Sequence, residues 1–216
     1  MTMHENELTV TVDTVHEMVG RQFPEWACLP IRRVSPGGTV NAIFRVGEEL
    51  AARFPLQPGD VEDAHRRLVS EAAAARELLG HTRFPTPEPV AIGEPGDVYP
   101  LPWSVQTWVP GKTARPDDPS LSGGFVHDIA ELIADVRAIP VNGRVFSGGG
   151  RGGDLESHDD WMELCFRRSV ALTDVPRLRG IWARLRKLPR DAPDVMTHGD
   201  LIPGNVLVDD GRLVGV

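Results

Sequence analysis

Close to the end of the sequence, the stretch THGDLIPGNVLV (residues 197–208) places His198, Asp200 and Asn205 within a few positions of one another. The residue types suggest a division of labour. A carboxylate at Asp200 can orient a hydroxyl group and accept its proton. A carboxamide at Asn205 offers a neutral oxygen, a hard ligand suited to magnesium, without adding charge. His198 suits a positioning role, steadying the loop through hydrogen bonds. Pro203 and Gly204 let the backbone fold back so that both functional side chains face one point. Taking a proton from a hydroxyl beside a magnesium-bound phosphate is the chemistry of phosphoryl transfer. The same residues also suit a plain turn, because Asp, Pro, Gly and Asn are all turn formers.

His-x-Asp, four residues and Asn is the spacing of a kinase catalytic loop. Such a loop needs a strand-rich lobe upstream and an apolar hairpin directly downstream. Downstream, Val206–Val208 and Leu213–Val216 flank Asp209-Asp210-Gly211, which reads as a β-hairpin with an Asp-Gly turn. Upstream, Val15, Met18, Val19 and Phe23 recur at helical spacing, with Asp13 placed to cap that helix and Pro24 and Pro30 closing the segment. Ile31–Val34, Val40–Val46 and Leu50–Phe54 then read as three strands joined by turns at Ser35-Pro36-Gly37-Gly38 and Gly47-Glu48, an antiparallel meander. A long helix, about Val61–Leu79, carries Ala64, Leu68, Ala72, Ala75 and Leu79 on one face and stops at Gly80. Two more strands follow around a Gly-Asp turn.

After Pro110-Gly111 the chain reads as helical. Phe125, Ile129, Leu132, Ile133 and Val136 mark one stripe, and Trp161, Leu164, Cys165 and Val170 a second. Leu178, Ile181, Trp182, Leu185 and Leu188 mark a third, entered through Asp174 with Pro176 in the first turn. The fold class is therefore α+β, an antiparallel sheet with one helix followed by a mainly helical lobe. We place the boundary between residues 109 and 110. The FSGGGRGGDL stretch lacks the Gly-Lys-Ser/Thr of a phosphate loop and reads as a loop between helices.

Composition narrows the partners. The 216 residues are 41% apolar and 25% charged, an ordinary globular composition. The net charge of −8 and the absence of a basic block argue against nucleic acid. Acidity suits a cationic ligand, and equally serves solubility. No apolar run is long enough to span a membrane and the N-terminus lacks a secretory pattern, so we expect no membrane partner and a cytoplasmic location. Cys28 and Cys165, without metal-type spacing, read as reduced thiols. Lys112 and Lys187 are the only lysines, so no lysine lies between Leu50 and Leu79.

The tail, THGDLIPGNVLVDDGRLVGV, closely resembles the catalytic loop of the aminoglycoside phosphotransferase family, small-molecule kinases with a protein-kinase-like fold. RFPL, PEPVAIGEP, WSVQTWVPG and RGGDLESHDDW are similar to that family as well, and the resemblance extends from about Val15 onward. It implies an ATP- or GTP-dependent kinase with Mg2+, acting on a small-molecule hydroxyl. Asp200 would be the catalytic aspartate, with His198 beside it, and Asn205 a magnesium ligand. Gly37, Gly38 and Thr39 would cover the phosphates, although a plain hairpin turn fits them equally. The backbone of Gln106–Val109, with Thr107 and Trp108, would form the adenine-binding hinge; Trp108 fits a core position just as well. Where the kinase pattern has a lysine on the third strand and a glutamate on the next helix, this chain has Arg53 and Glu71. Arginine can pair with that glutamate and still offer N–H donors to phosphate.

By the resemblance, a magnesium-binding aspartate falls about two residues beyond Val216, with a helical, substrate-binding region after it. On that reading we expect residues 1–216 alone to be a partial, inactive enzyme of poor solubility. The alternatives are a non-catalytic nucleotide-binding remnant, a kinase for a choline-, homoserine- or macrolide-like acceptor, or a structural domain.

Overall fold

The computed structural model describes residues 7–34, 40–115, 123–146, 152–189 and 191–216. The expected turn at Ser35–Gly38, with Gly37, Gly38 and Thr39, and residues 147–151 of the glycine-rich stretch lie outside the described residues. The chain divides into two compact units, Met1–Leu132 with Pro203–Val216, and Ile133–Ile202.

The first unit opens with helix α1, Val12–Gln22. Thr11, not Asp13, caps it. Thr11 is extended, its hydroxyl oxygen accepts the Thr14 N–H at 3.1 Å, and Thr14 answers from its own hydroxyl. Asp13 already lies in the first turn, where its charge favours the helix dipole instead. Five strands follow: β1 Ile31–Arg33, β2 Asn41–Val46, β3 Leu50–Pro55, β4 Pro89–Gly93 and β5 Trp103–Thr107. They form one antiparallel sheet in the order β1-β2-β3-β5-β4. Between β3 and β4 runs helix α2, Val61–Leu78, capped by Asp60, whose carboxylate accepts the Asp63 N–H.

Strand periodicity sorts the two faces of this sheet. Phe44, Ala52 and Val105 are aligned across β2, β3 and β5, and all are buried against α1. Within this core Phe54 stacks on Trp103 at 4.7 Å and meets Tyr99 edge-on at 5.0 Å. The opposite face carries two aligned rows: Arg45, Ala51 and Gln106, and Ile43, Arg53 and Ser104.

A second, three-stranded sheet completes the first unit. Strands β7, Leu207–Asp209, and β8, Arg212–Gly215, form the expected hairpin. Asp210 and Gly211 both take positive φ, 45° and 69°, as a two-residue primed turn requires. Strand β6, Lys112–Thr113, was not expected and pairs with β7 just after Pro110-Gly111. Two residues are too short a run for any periodicity to register.

Helix α3, Gly123–Ala138, begins in the first unit and ends in the second, followed by α4, Asp159–Arg168, and α5, Val175–Leu185. Their expected stripes need correction. Ile133 is exposed, while Asp128 is 0% exposed on the side of α3 shared with Leu132 and Val136. In α4 the buried residue is Phe166; Trp161 is 63% exposed, and Val170 lies beyond the helix end and is exposed. Asp174 does cap α5, accepting the Arg177 N–H, but its buried residue is Val175, with Leu178, Leu185 and Leu188 exposed. Periodicity identifies residues that share a face; it does not say which face is covered.

Gly93 ends β4 against the Trp103 indole, and a Cβ there would overlap that ring. Because Trp103 is fully buried, the overlap can be relieved only by shifting the core. Gly93→Ala should therefore lower unfolding stability by about 1–3 kcal/mol, the range for overpacking. A urea midpoint equal to that of the wild type would contradict this packing.

Candidate active site

Arg53 and Glu71 come together through β3 and α2. Arg53 stands on the face of the sheet opposite the α1 core, and its Nη1 donates to Glu71 Oε2 at 3.4 Å. The pair is not deeply buried, and the carboxylate is more than half exposed. An ion pair of this kind contributes at most about 1 kcal/mol. It engages one nitrogen of the guanidinium, whose planar fork has further donors.

The stretch from Gln106 to Val109 leaves β5. The Thr107 N–H donates to Glu88 O at 2.9 Å, and its hydroxyl accepts the Glu88 N–H at 2.8 Å. The Trp108 N–H donates to Glu49 O at 2.7 Å, and the Arg45 guanidinium lies 4.9 Å from the Trp108 ring. Arg45 also donates to the Glu48 carboxylate at 2.6 Å. Thr107 and Trp108 thus use their N–H groups in backbone pairing with the segments that lead into β4 and β3. The N–H of Val109 meets no acceptor among the described residues.

The His198–Asp200 turn belongs to the second unit. Gly199 takes φ +75°, a left-handed conformation that glycine adopts without strain. This curls the backbone so that the Asp200 N–H donates to His198 Nδ1 at 3.3 Å. The Ile202 N–H donates to Asp200 O at 2.9 Å and tightens the following turn. With Nδ1 accepting, the neutral ring carries its proton on Nε2. Burial lowers the His198 pKa from its ordinary value, while the Asp200 charge works in the opposite direction. The imidazole is therefore neutral at physiological pH and serves as an acceptor for the backbone of Asp200.

Asn205 lies in the first unit, at the end of the short 3-10 turn Pro203–Asn205, with its side chain exposed. The next residue, Val206, is buried, and its carbonyl accepts the Ala114 N–H at 3.0 Å. Among the described residues there is no group of three or more His, Cys, Asp or Glu that could hold a metal ion. Asn205 supplies one hard oxygen. That fits magnesium as one member of a set completed by carboxylate and nucleotide phosphate, which is how the ion is usually held.

The sequence reading passed over a cluster around Asp128. This aspartate accepts from Arg83, Arg212 and the Leu213 N–H, and Arg83 also pairs with Glu131. The available signal was an aspartate at the position where the apolar stripe of α3 should continue, between Phe125 and Leu132. An arginine immediately follows the hairpin turn, 84 residues further on.

With this geometry in place, comparison assigns the chain. It belongs to the phosphotransferase enzyme family, whose model matches residues 31–216. Its fold is protein-kinase-like. The GDP complex of wild-type aminoglycoside 2'-phosphotransferase-IIIa aligns with a TM-score of 0.73 at 21% identity, covering 96% of this chain and 72% of that one. Macrolide 2'-phosphotransferase MphH from Brachybacterium faecium aligns at 0.63 and 19% identity, over 94% of this chain and 70% of that one. A choline/ethanolamine kinase family protein from Mesorhizobium loti gives 0.59 and 21%, over 94% and 63%. No curated protein sequence matches the chain. No helix among the described residues is long and apolar enough to cross a membrane.

The His198 geometry has a direct readout. Its titration midpoint, followed by NMR, should lie below the ordinary histidine value of about 6.5. Asp200→Asn removes the charge that raises it, so the midpoint should fall further. Protonating a depressed histidine opposes folding, so the associated stability is present above about 6.5 and declines as pH drops through the lowered value. An upward movement in Asp200→Asn would contradict the arrangement.

Proposed function

We propose that this chain is a nucleoside-triphosphate-dependent kinase, or part of one, that phosphorylates a hydroxyl of an aminoglycoside-like small molecule. The observation that carries the reading is the His198-x-Asp200-x4-Asn205 spacing, entering an antiparallel hairpin, in a member of the phosphotransferase family. Residues 1–109 would act as the nucleotide lobe and 110–216 as the lobe bearing the catalytic loop. Known structures of this fold support the nucleotide and the acceptor class. They include complexes of aminoglycoside phosphotransferases with GDP and kanamycin, with ATP and streptomycin, and with gentamicin. The acidic balance of the chain suits a polycationic acceptor. Resistance to such drugs, exerted in the cytoplasm, would be the biological outcome.

Each residue then has a task. The Val109 N–H donates to the nucleobase at the hinge, beside Thr107 and Trp108. Arg53, held by Glu71, donates to the α- and β-phosphates. By the family resemblance, Gly37, Gly38 and Thr39, which lie outside the described residues, would cover them. Asn205 would hold magnesium as one ligand of a set, and the ion would supply neutralisation of phosphate charge. Asp200 orients the acceptor hydroxyl and takes its proton as the oxygen bonds to the γ-phosphorus. The bond from that phosphorus to the bridging oxygen breaks, and the nucleoside diphosphate leaves. His198 keeps the Asp200 backbone in place through its neutral Nδ1.

A coupled assay for nucleoside diphosphate release tests this, using ATP and GTP with kanamycin, gentamicin, streptomycin, erythromycin and choline as acceptors. In a protein extended beyond Val216, Asp200→Ala should lower turnover by about 10²–10⁴-fold, the usual contribution of a catalytic base, and leave ADP affinity nearly unchanged. Undiminished turnover would remove Asp200 from the chemistry. A thermal shift with nucleotide but no turnover with any acceptor would favour a binding module instead.

Arg53 makes a separate prediction. Arg53→Ala should weaken ADP binding by roughly 10–100-fold, the loss expected for charge-assisted hydrogen bonds to phosphate. The unfolding midpoint should hardly move, since the pair with Glu71 is exposed. Unchanged ADP affinity measured by calorimetry would limit Arg53 to a surface ion pair.

A further inference from the structure

We propose that Asp128 is a positioning residue that holds the β7–β8 hairpin, and with it the Asn205 turn, against the segment between α2 and β4. The proposal rests on the kinase reading above and concerns how its magnesium-binding side chain is held.

Asp128 is 0% exposed and receives four donors from two distant segments. Its Oδ1 accepts Arg83 Nη2 at 2.7 Å and Arg212 Nη2 at 2.6 Å. Its Oδ2 accepts Arg212 Nε at 2.7 Å and the Leu213 N–H at 3.1 Å. Arg212 thus grips the carboxylate with two parallel bonds, a geometry that fixes orientation as well as distance. Arg83 is itself locked. Its Nε and Nη2 donate to Glu131 at 2.7 and 2.9 Å, and its guanidinium packs 4.2 Å from the Phe84 ring. Arg212 above all, then the Leu213 N–H and Arg83, hold the Asp128 carboxyl well below the usual carboxylate range, against the burial that pushes it up.

Two residues on, Pro85 O accepts the Val216 N–H at 3.1 Å. The segment Arg83–Pro85 therefore reaches both ends of β8, one through Asp128 and the other through its own backbone. Strand β8 holds β7 in register, with Leu213 opposite Val208. Asn205 lies two residues before β7. These strands are two to four residues long, too short to be stable without an anchor.

The charges distinguish positioning from other roles. Arg83 and Arg212 balance Asp128 and Glu131, so the cluster has no surplus charge with which to recruit an ion. Nor is a buried ion pair an efficient source of stability, because apolar side chains of similar volume often do as well or better. What the ionic arrangement adds is direction: a forked donor meets a carboxylate at one register of the hairpin only.

The test is calorimetric titration of ADP into the full chain, with and without magnesium chloride, for wild type, Asp128→Asn, Arg212→Lys and the triple variant Arg83→Met/Asp128→Leu/Arg212→Met. Arg212→Lys keeps the charge but loses the fork. The triple variant replaces the ions by apolar side chains and should keep its unfolding midpoint. We expect magnesium to tighten ADP binding to the wild type. In each folded variant that enhancement should fall about tenfold while magnesium-free affinity stays within about twofold, a coupling loss in the usual range. A purely structural cluster would instead spare the enhancement in the stable triple variant. Should Asp128→Asn not fold, the other two decide. A folded variant with full enhancement overturns the proposal, as does wild-type ADP binding that magnesium leaves unchanged, which spares the nucleotide reading. A wild type that binds no ADP removes both.

Discussion

The bidentate contact between Asp128 and Arg212 joins residues 84 positions apart and closes the first unit around its own C-terminal hairpin. That unit is discontinuous in sequence: residues 1–132 must accept 203–216 after the chain has built the second unit between them. A short hairpin carries little binding surface of its own, so its placement depends on a few directional contacts. Arg212 and the Leu213 N–H supply them at one end of β8, and the Pro85–Val216 hydrogen bond supplies one at the other. Between these grips, Gly215 lies close to Val109 and Leu207, and Gly111 close to Leu207 and Val214. A side chain at either glycine would crowd the contact between the hairpin and the segment from Val109 to Gly111.

Two of the arginine–carboxylate systems of the first unit illustrate how burial decides what an ion pair does. Around Asp128 the carboxylate is shut away from water, its acceptor capacity is filled by four donors, and its charge is locked on. Such a group is costly to disturb and therefore suited to fixing a backbone. Arg53 and Glu71 meet through a single 3.4 Å contact, and Glu71 remains open to solvent. Water competes with that pair, so it adds little to stability. Its looseness is useful in the proposed reading: donors that are not consumed internally remain available to a phosphate.

Much of the first unit was legible because its signals are local. The meander of β1, β2 and β3, the long helix α2 and the Asp-Gly hairpin follow from period and turn chemistry within windows of a few residues. The spacing from His198 to Asn205 was equally plain, since it too is local. Features that depend on partners elsewhere in the chain were not legible. Thr11 took the cap from Asp13 because one backbone angle, not residue type, decided where the helix began. Strand β6 exists because β7 is there to pair with it. Asp128 broke the apolar stripe of α3, and only a folded chain brings Arg83 and Arg212 to it. The misassigned stripes of α4 and α5 have the same origin: a stripe is a property of one helix, whereas burial is a property of its neighbours.

The proposed chemistry would respond to pH through His198. His198 is neutral, with its pKa lowered by burial, and contributes an acceptor to the Asp200 backbone. Protonating it would turn Nδ1 into a donor facing another donor, the Asp200 N–H, and break the contact that shapes the turn. In the proposed reading, acid would thus act on the geometry around Asp200 by way of His198.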